Sequence, residues 1–319
     1  MNTIPSIFNE HQINCTILGA KEIYEDAKMN VSVILLNSGG THLRLQNLYN
    51  LIKCGFKEIV SVETNAKNYN LEGFIKNCPS VKFVLPLEDA TQGDLINLGM
   101  NEVTSDYVLV LRDTLNITPN LLQPSVASKL ISYNNYCVVP KLLMDNYQPL
   151  PIRFSPIVKK SVFEVDTLSS FAEGAKTLYP SDFIGFYDRK KFIQLGGFDY
   201  TITNPYWQNL DLSVRAWLWG EKISLTTIFQ IAYSDKINVQ DSSPDESHIR
   251  FYLKNLLPKF KIDHGSIPMS SFFLFQKRST MPFWETRRAF KDAVRWTELN
   301  QFRFKGDAQM LIDGWDESK

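Results

Sequence analysis

Cysteine is scarce in this chain, with four residues among 319. Cys15, Cys54, Cys78 and Cys137 lie far apart, and no pair has the spacing of metal ligands or of a CxxC redox motif. This spacing argues against a disulfide framework and a cysteine-based zinc site. The pattern predicts free, reduced and mostly buried thiols, which are typical of a cytoplasmic protein.

Long apolar runs and an excess of basic charge are missing as well. No apolar run approaches the roughly 20 residues that a membrane-spanning helix needs, and residues 1–15 have no secretory signal pattern. The 34 basic residues are balanced by 34 acidic residues, so we expect no nucleic-acid partner. We predict a cytoplasmic location, with the inner face of the membrane as a second option.

Several common motifs of catalysis are absent. No GxGxxG dinucleotide fingerprint follows an apolar run, and neither a GK[ST] phosphate loop nor a GxSxG nucleophile turn occurs. The four histidines form no HExxH or comparable pair; they are His11, His42, His248 and His264. These absences argue against a Rossmann dehydrogenase, a P-loop nucleotidase and a HExxH metalloprotease.

Apolar residues are plentiful, at 44% of the chain, and they alternate between two patterns. Short β-branched apolar runs predict strands; they lie at residues 31–36, 58–62, 81–85, 107–111 and 137–140. Between these runs apolar residues recur at helical spacing, as in the segment that ends at Gly55. The rhythm predicts an α/β fold with a mainly parallel central sheet flanked by helices, and ligands at the carboxyl ends of its strands.

The second half of the chain is less regular. Thr118-Pro119 predicts the start of a further helix, whereas residues 141–180 indicate a long irregular insertion. Residues 183–187 predict a strand and residues 210–220 a helix.

A basic amphipathic stretch lies near the carboxyl end, at residues 281–296. Phe283, Arg287, Phe290 and Val294 recur there at helical spacing, and further basic residues lie on an adjacent face. Such a helix either packs its apolar stripe on the domain or lies on an anionic membrane surface. The second alternative predicts a peripheral membrane contact.

In their order and spacing, several segments resemble the family 2 glycosyltransferases, whose GT-A fold is a single nucleotide-sugar-binding α/β domain. Residues 31–40 resemble the family's opening strand and loop, and residues 56–66 its second strand. Residues 195–223 resemble the later Gly-Gly-Phe-Asp segment and the helix that follows it. The closest match is residues 91–114, with Asn97 and Gly99 at the Asn-x-Gly positions and Ser105-Asp106-Tyr107 at the Gly-Asp-Tyr positions.

The resemblance covers roughly residues 30–230 and implies an organisation in three parts. These are an N-terminal leader (1–29), a GT-A-like domain (30–235) and a C-terminal helical or irregular extension packed on or near the cleft (236–319). It also implies a function, the transfer of a sugar from a nucleotide-sugar donor to a glycan, lipid-linked or protein acceptor.

The family's site residues carry over to positions of this chain. The nucleotide-sugar-binding candidates are Asn37, Glu63, Asn97, Arg112 and Asp113, and the catalytic candidates are Gln208, Asn209 and Asp211. In the family, carboxylates hold a divalent cation that neutralises the leaving diphosphate. Mg²⁺ or Mn²⁺ is therefore the implied cofactor, with Asp113 as the candidate ligand.

Two of the family's motifs are altered. The Asp-x-Asp metal motif reads Arg112-Asp113-Thr114, and the Glu-Asp pair on the late helix reads Gln208-Asn209. The expected base is therefore an amide, which cannot accept a proton near neutral pH, and Asp211 is the nearest carboxylate.

Three alternatives follow from these departures. In the first, the guanidinium of Arg112 replaces the metal, and Asp113 or Asp211 is the base. In the second, the fold has lost catalysis and acts as a binding or scaffold protein. In the third, the match is shifted by a residue or two, and Asp106 or Asp113 binds the metal. A nucleotidyltransferase is a weaker fourth alternative, because residues 37–44 match its basic, glycine-rich loop only thinly.

Overall fold

A computed structural model describes residues 11, 13–20, 27–37, 43–64, 71–235, 240–279 and 281–315, the side chain of Arg278 excepted. Two segments used for the family resemblance, residues 31–40 and 56–66, extend past the described residues, because residues 38–40 and 65–66 are not described. Most of the predicted N-terminal leader also lies outside the described residues.

An eight-stranded sheet forms the centre of the molecule. Its strands are β1 (Cys15–Gly19), β2 (Met29–Asn37), β3 (Phe56–Glu63), β4 (Lys82–Pro86), β5 (Tyr107–Arg112), β6 (Cys137–Leu143), β9 (Gly185–Asp188) and β10 (Ile223–Ala232). Two hairpins complete the β-structure: β7 (Arg153–Lys159) with β8 (Val162–Leu168), and β11 (Lys259–Lys261) with β12 (His264–Ser266). The order across the sheet is β1-β4-β3-β2-β5-β9-β6-β10.

Most strands of the sheet run in one direction. β2 pairs in parallel with β3 and β5, β3 with β4, and β6 with β10. β9 is antiparallel to both of its neighbours, and β1 is antiparallel to β4. The chain leaves β2 toward β3 on one side and reaches β5 on the other, so the carboxyl ends of β2 and β5 border a topological switch point.

Ten α-helices are described. They are α1 (Arg44–Cys54), α2 (Leu71–Asn77), α3 (Gln92–Glu102), α4 (Pro124–Ser132), α5 (Arg189–Leu195), α6 (Pro205–Leu218), α7 (Glu246–Phe251), α8 (Ser271–Arg278), α9 (Phe283–Asn300) and α10 (Ala308–Asp313). A π-helical segment, Tyr252–Leu256, continues α7. Among these helices, none is both long and apolar enough to cross a membrane.

Local sequence explains several of these elements. The central strands β2, β3 and β5 read as near-continuous apolar runs because both faces of the sheet are covered. Gly55 ends α1 in the left-handed region, at φ 80°. Thr91 caps α3 and Asp94 bonds back to the Thr91 backbone, a complete capping box. The predicted α/β fold with a mainly parallel sheet flanked by helices is confirmed.

The helix predicted to start at Thr118-Pro119 is wrong, because α4 begins at Pro124. The carbonyls of residues 117–119 instead accept hydrogen bonds from Asn50 and Cys54 of α1. Those carbonyls are therefore engaged with another helix rather than with a helix of their own.

The irregular insertion predicted at residues 141–180 is also wrong in part. It contains the hairpin β7–β8, in which Arg153 pairs with Leu168 and Lys159 with Val162. The turn residues Lys160 and Ser161 both have positive φ, at 49° and 64°. Since no glycine stands at this turn, the usual sequence signal for a tight hairpin is missing.

The core lies on both faces of the large sheet, and a second apolar cluster lies in the extension. The second cluster consists of Leu253, Leu257, Ile267, Phe275, Phe290 and Ala293. All four cysteines are free, and three of them are buried, as predicted.

Candidate functional site

Polar side chains meet in one row at the carboxyl edge of the sheet. Asn37 at the end of β2 lies opposite Glu63 at the end of β3. On the other side, the backbone N–H of Asp113 donates to the carbonyl of Leu36 at 3.0 Å. Asn37, Glu63 and Asp113 are fully buried, so they form the floor of this edge. The row is the arrangement expected where parallel strands end together.

Helix α1 supports this edge from below. The amide of Asn47 donates to the carbonyls of Asp113 and Leu115, at 3.2 and 3.3 Å. The end of β10 approaches the same loop, since the backbone N–H of Ser234 donates to the carbonyl of Thr114 at 2.8 Å. The turn after β5 is thus held by two elements that are distant in sequence.

Glu63 is the charged centre of the floor. Its carboxylate accepts hydrogen bonds from Arg44, at 2.6 Å, and from the hydroxyl of Ser61, at 2.9 Å. Burial raises the pKa of the Glu63 carboxyl to about 7, although Arg44, Ser61 and Asn37 act to lower it. The group therefore changes its charge near neutral pH.

Arg112 stands at the rim of the same edge and is partly exposed. Its guanidinium donates to the side-chain carbonyl of Gln92 at 2.9 Å and pairs with the carboxylate of Asp182 at 3.0 Å. The side chains of Arg112 and Asp182 are 14% and 20% exposed, whereas Asp113 is not exposed at all. An ion pair with this exposure is open to competition from a solvent-borne anion.

Asp182 is a site candidate that the sequence did not reveal. It has positive φ, at 52°, and accepts hydrogen bonds from the hydroxyl of Tyr233 and the amide of Gln240, at 3.3 and 3.5 Å. Burial raises the pKa of the Asp182 carboxyl, and Arg112 opposes that shift. The only sequence signal was its place before the strand predicted at residues 183–187.

The donor set at the altered metal motif does not fit Mg²⁺ or Mn²⁺. Such ions require several oxygen ligands, usually carboxylates. Here one outer carboxylate position is occupied by the cation of Arg112, and the other by Thr114. Across the described part of the chain, no group of three or more His, Cys, Asp or Glu side chains could hold a metal ion. Asp113 as a metal ligand is therefore not supported.

Gln208 forms hydrogen bonds with residues at the N-terminus of α3. Its amide N–H donates to the hydroxyl of Thr91 at 2.7 Å and to the carbonyl of Asp199 at 3.1 Å. Its carbonyl accepts from the backbone N–H of Gly93 at 2.9 Å. The side chain is fully buried, so these bonds join α6 to the α3 N-terminus.

Asn209 supports the segment that carries Asp182. Its amide N–H donates to the carbonyl of Pro180 at 2.7 Å. Its side-chain carbonyl is buried and has no hydrogen-bond partner among the described residues. The structure therefore connects the altered base motif to the altered metal motif through Pro180, Asp182 and Arg112.

Asp211 lies in a buried charge cluster rather than at the open edge. Its carboxylate pairs with Lys254 at 3.2 Å and with Arg215 at 3.1 Å, and it accepts from the amide of Asn255 at 2.7 Å. Lys254 also pairs with Asp199, at 2.7 Å. Asp211 is fully buried. This position gives the predicted base role no geometric support.

Asn97 connects α3 to the Gly-Gly-Phe-Asp segment. The side-chain N–H of Asn97 donates to the backbone carbonyl of Phe198 at 2.9 Å, and the side-chain carbonyl of Asn97 accepts from the backbone N–H of Phe198 at 3.0 Å. Both polar atoms are used in this contact, which is a structural role that the predicted nucleotide-sugar contact did not anticipate.

Comparison with solved structures identifies a shared architecture. GalNAc-T7, in a crystal structure with UDP, GalNAc and Mn²⁺, superposes with a TM-score of 0.58 at 15% sequence identity. The chain has a GT-A-like fold. The superposition covers 92% of this chain and 59% of that one, so this chain spans about three fifths of its neighbour's length. No protein-family model matches the sequence, and a search of curated proteins finds no match.

Proposed function

We propose that this chain binds a nucleotide-activated sugar at the carboxyl edge of its sheet and transfers the sugar to a glycan, lipid-linked or protein acceptor. The observation that carries the proposal is the partly exposed Arg112, which stands at the end of β5 where a GT-A-type site meets the diphosphate. The fold supports the nucleotide-sugar class, and the UDP in the structure of GalNAc-T7 makes uridine diphosphate sugars the first donors to test.

The proposed site uses a protein cation where the family uses a metal. A guanidinium presents a fixed positive charge and forked donors to phosphate oxygens, and it needs no bound ion. Asn37, Glu63 and Asp113 form the polar floor beneath the nucleotide in this arrangement. Membership of family 2 and use of Mg²⁺ or Mn²⁺ remain predictions, and the donor set at Arg112 favours transfer without a metal.

Asp182 is the proposed general base. In the free protein its carboxylate is paired with Arg112, so it is held in place but engaged. A donor diphosphate competes for Arg112 and releases Asp182. Loss of the neighbouring cation then raises the pKa of Asp182 further and makes it a stronger base.

The reaction balances with these two groups. Asp182 takes the proton of an acceptor hydroxyl, and the acceptor oxygen bonds to the anomeric carbon. The bond from that carbon to the diphosphate oxygen breaks, and the guanidinium of Arg112 stabilises the negative charge that develops on this oxygen. Direct displacement of this kind inverts the anomeric centre.

Titration calorimetry with UDP and UDP-sugars, with and without EDTA, tests the binding step. We expect binding that EDTA does not change and that Arg112→Ala weakens by about tenfold to a hundredfold, as for a lost charge-assisted contact. Arg295→Ala removes an exposed arginine of α9 and is the matched control. Binding that requires Mn²⁺, or that is equal in the Arg112→Ala and Arg295→Ala proteins, would contradict the proposal.

Asp182→Asn tests the chemical step separately. We expect the variant to retain donor binding, because the amide no longer competes for Arg112, and to lose donor hydrolysis or transfer by at least about a hundredfold. Full activity of this variant would remove Asp182 as the base.

A non-catalytic binding protein is the second candidate function. The observation in its favour is that both altered base positions, Gln208 and Asn209, make structural hydrogen bonds and that Asp211 is neutralised in the core. This candidate predicts nucleotide or sugar binding without turnover of any donor, whatever acceptor is supplied.

The division into a domain at 30–235 and an extension at 236–319, and the location of the protein in the cytoplasm, stay predictions.

A further inference from the structure

Exposed apolar side chains are concentrated on two helices of the C-terminal extension. We call this group the aromatic patch and define it as Met269, Phe273, Leu274, Phe283 and Trp284. These side chains are 67%, 75%, 63%, 49% and 71% exposed, respectively. Scattered exposed apolar residues are normal, but a joined group of this size marks a surface that another body covers.

Ring contacts join the three aromatic members of the patch, in part through the half-buried Phe272. Phe272 contacts Phe273 and Phe283, with centroid distances of 5.9 and 6.3 Å, and Phe283 contacts Trp284 at 5.3 Å. The rings therefore form one surface made by two helices, α8 and the first turn of α9.

The patch is not part of the extension's own core. On α8, Phe275 packs into the second apolar cluster, whereas Phe273 and Leu274 point away from it. A short helix that is apolar on both sides is typical of one covered on both sides. Within the described residues, one of these sides is uncovered.

A row of cations adjoins the patch. Trp284, Arg288, Lys291 and Arg295 follow one another at spacings of four, three and four residues, so they lie along one face of α9. All four are exposed, and the exposed carboxylates of Asp292 and Glu298 lie on the same side of the helix, so its basic residues exceed its acidic ones by one. The buried face of the same helix carries Phe290, which belongs to the second apolar cluster.

This arrangement differs from the stripe predicted from sequence. That stripe placed Phe290 with Phe283 on one surface, but Phe290 is only 2% exposed. The packing alternative for this helix holds for the face that carries Phe290, whereas the opposite face, with Trp284 and the basic residues, stays exposed.

We propose that the aromatic patch and the cation row together dock this chain on an anionic membrane surface. Aromatic rings enter the interface between headgroups and acyl chains, and adjacent Lys and Arg side chains are attracted to anionic headgroups. The inference is independent of the proposed sugar transfer.

Co-sedimentation with vesicles tests the proposal. The full chain is mixed with vesicles of phosphatidylcholine alone or of equal parts phosphatidylcholine and phosphatidylglycerol. We expect binding to the anionic vesicles that decreases with added salt, and much weaker binding to the neutral ones. No binding of the native chain to anionic vesicles would overturn the proposal.

Two variants separate the contributions. Reversing charge at Arg288, Lys291 and Arg295 together is expected to weaken binding by at least about a hundredfold, at roughly fivefold per cation lost near an anionic surface. Phe273→Ser with Trp284→Ser is expected to weaken it by at least about tenfold. Ile262→Ser removes a 96% exposed apolar side chain outside the patch and should change nothing.

Folding and self-association are measured on the same proteins. The variants must keep the native unfolding midpoint, because all altered side chains are exposed or half-exposed. If light scattering without vesicles shows a dimer that Phe273→Ser with Trp284→Ser dissolves, the patch is a self-association surface and the proposal fails. Equal vesicle binding by native and variant chains would also overturn it.

Discussion

Replacing Lys254 by methionine is the most direct test of how the extension is joined to the sheet domain. Lys254 is fully buried and pairs with Asp199 at 2.7 Å and with Asp211 at 3.2 Å. Its ammonium also lies 4.8 Å from the ring centroid of Trp296. Burial lowers the pKa of the Lys254 ammonium, and the two carboxylates oppose that shift.

The expected loss in the free energy of unfolding follows from the charges that remain after Lys254 is replaced. In the native protein two buried carboxylates face the buried cations Lys254 and Arg215, and the partly exposed Arg250 lies 3.4 Å from Asp199. Methionine leaves Asp211 paired with Arg215 but leaves Asp199 with only the partly exposed Arg250, so the core either holds a poorly paired carboxylate or binds a proton. From the ordinary Asp pKa of 3.8, protonation at pH 7 costs about 4 kcal/mol, at roughly 1.4 kcal/mol per pH unit. We expect a loss of about 3–4 kcal/mol, similar to other broken buried pairs.

Urea unfolding across a pH series provides the measurement. Although burial acts to raise the pKa of Asp199, Lys254 and Arg250 hold it below its ordinary value. The native protein therefore loses this stabilisation only below the ordinary Asp pKa of 3.8, whereas the variant gains stability between pH 7 and 4 by protonating a carboxyl. The difference between the two proteins should shrink by about 1.4 kcal/mol per unit as the pH falls from 7 toward 4.

Two comparisons control this experiment. Adding Asp199→Asn to Lys254→Met removes the carboxylate that has lost its buried partner and should recover part of the lost stability. Lys259→Met, at an exposed lysine of β11, should have little effect. A loss below about 1 kcal/mol for Lys254→Met, or a loss independent of pH, would refute the reasoning.

Two further predictions concern the site edge and the α3 N-terminus. Because burial raises the pKa of Glu63 from 4.5 to about 7, its folded form binds the proton more tightly than the unfolded chain, so native stability should fall by about 3 kcal/mol as pH rises through that window. Glu63→Gln should flatten this slope in unfolding experiments, and an unchanged slope would count against it. Gly93→Ala places a Cβ 2.5 Å from Gln208 and Phe198 and should cost about 1–3 kcal/mol. Gly73→Ala, which meets nothing within 4 Å, should stabilise the protein by roughly 0.5–1 kcal/mol, and equal effects of the two changes would refute the contact.

Six of the eight strands of the described central sheet were predictable because each is a local pattern, whereas β1 and β10 were not predicted. Buried on both faces, β2, β3 and β5 must be apolar throughout, whatever their partners are. The hairpin β7–β8 was missed because its turn uses Lys160 and Ser161 at positive φ rather than glycine. Local signals fail where the tertiary structure holds a residue in a conformation that it seldom adopts alone.

The candidate site was predictable only in part. Asn37, Glu63 and Asp113 could be placed at one edge, because the carboxyl ends of parallel strands meet. The separate altered motifs, in contrast, gave no indication that Asn209 supports the segment of Asp182 or that Asp182 pairs with Arg112. Such contacts join residues that no periodicity relates.

The amino-acid sequence alone determined the α/β class, the mainly parallel direction of the sheet and the shared edge at which its predicted strands end, because alternating apolar patterns mark βαβ units. The tertiary structure alone decided which charges face each other. It placed Lys254 against Asp211, which leaves that carboxylate in the core, and Asp182 beside Arg112, which leaves that pair at the rim. The physical reason is that an ion pair depends on the distance between side chains in space, and the separation along the chain does not fix that distance.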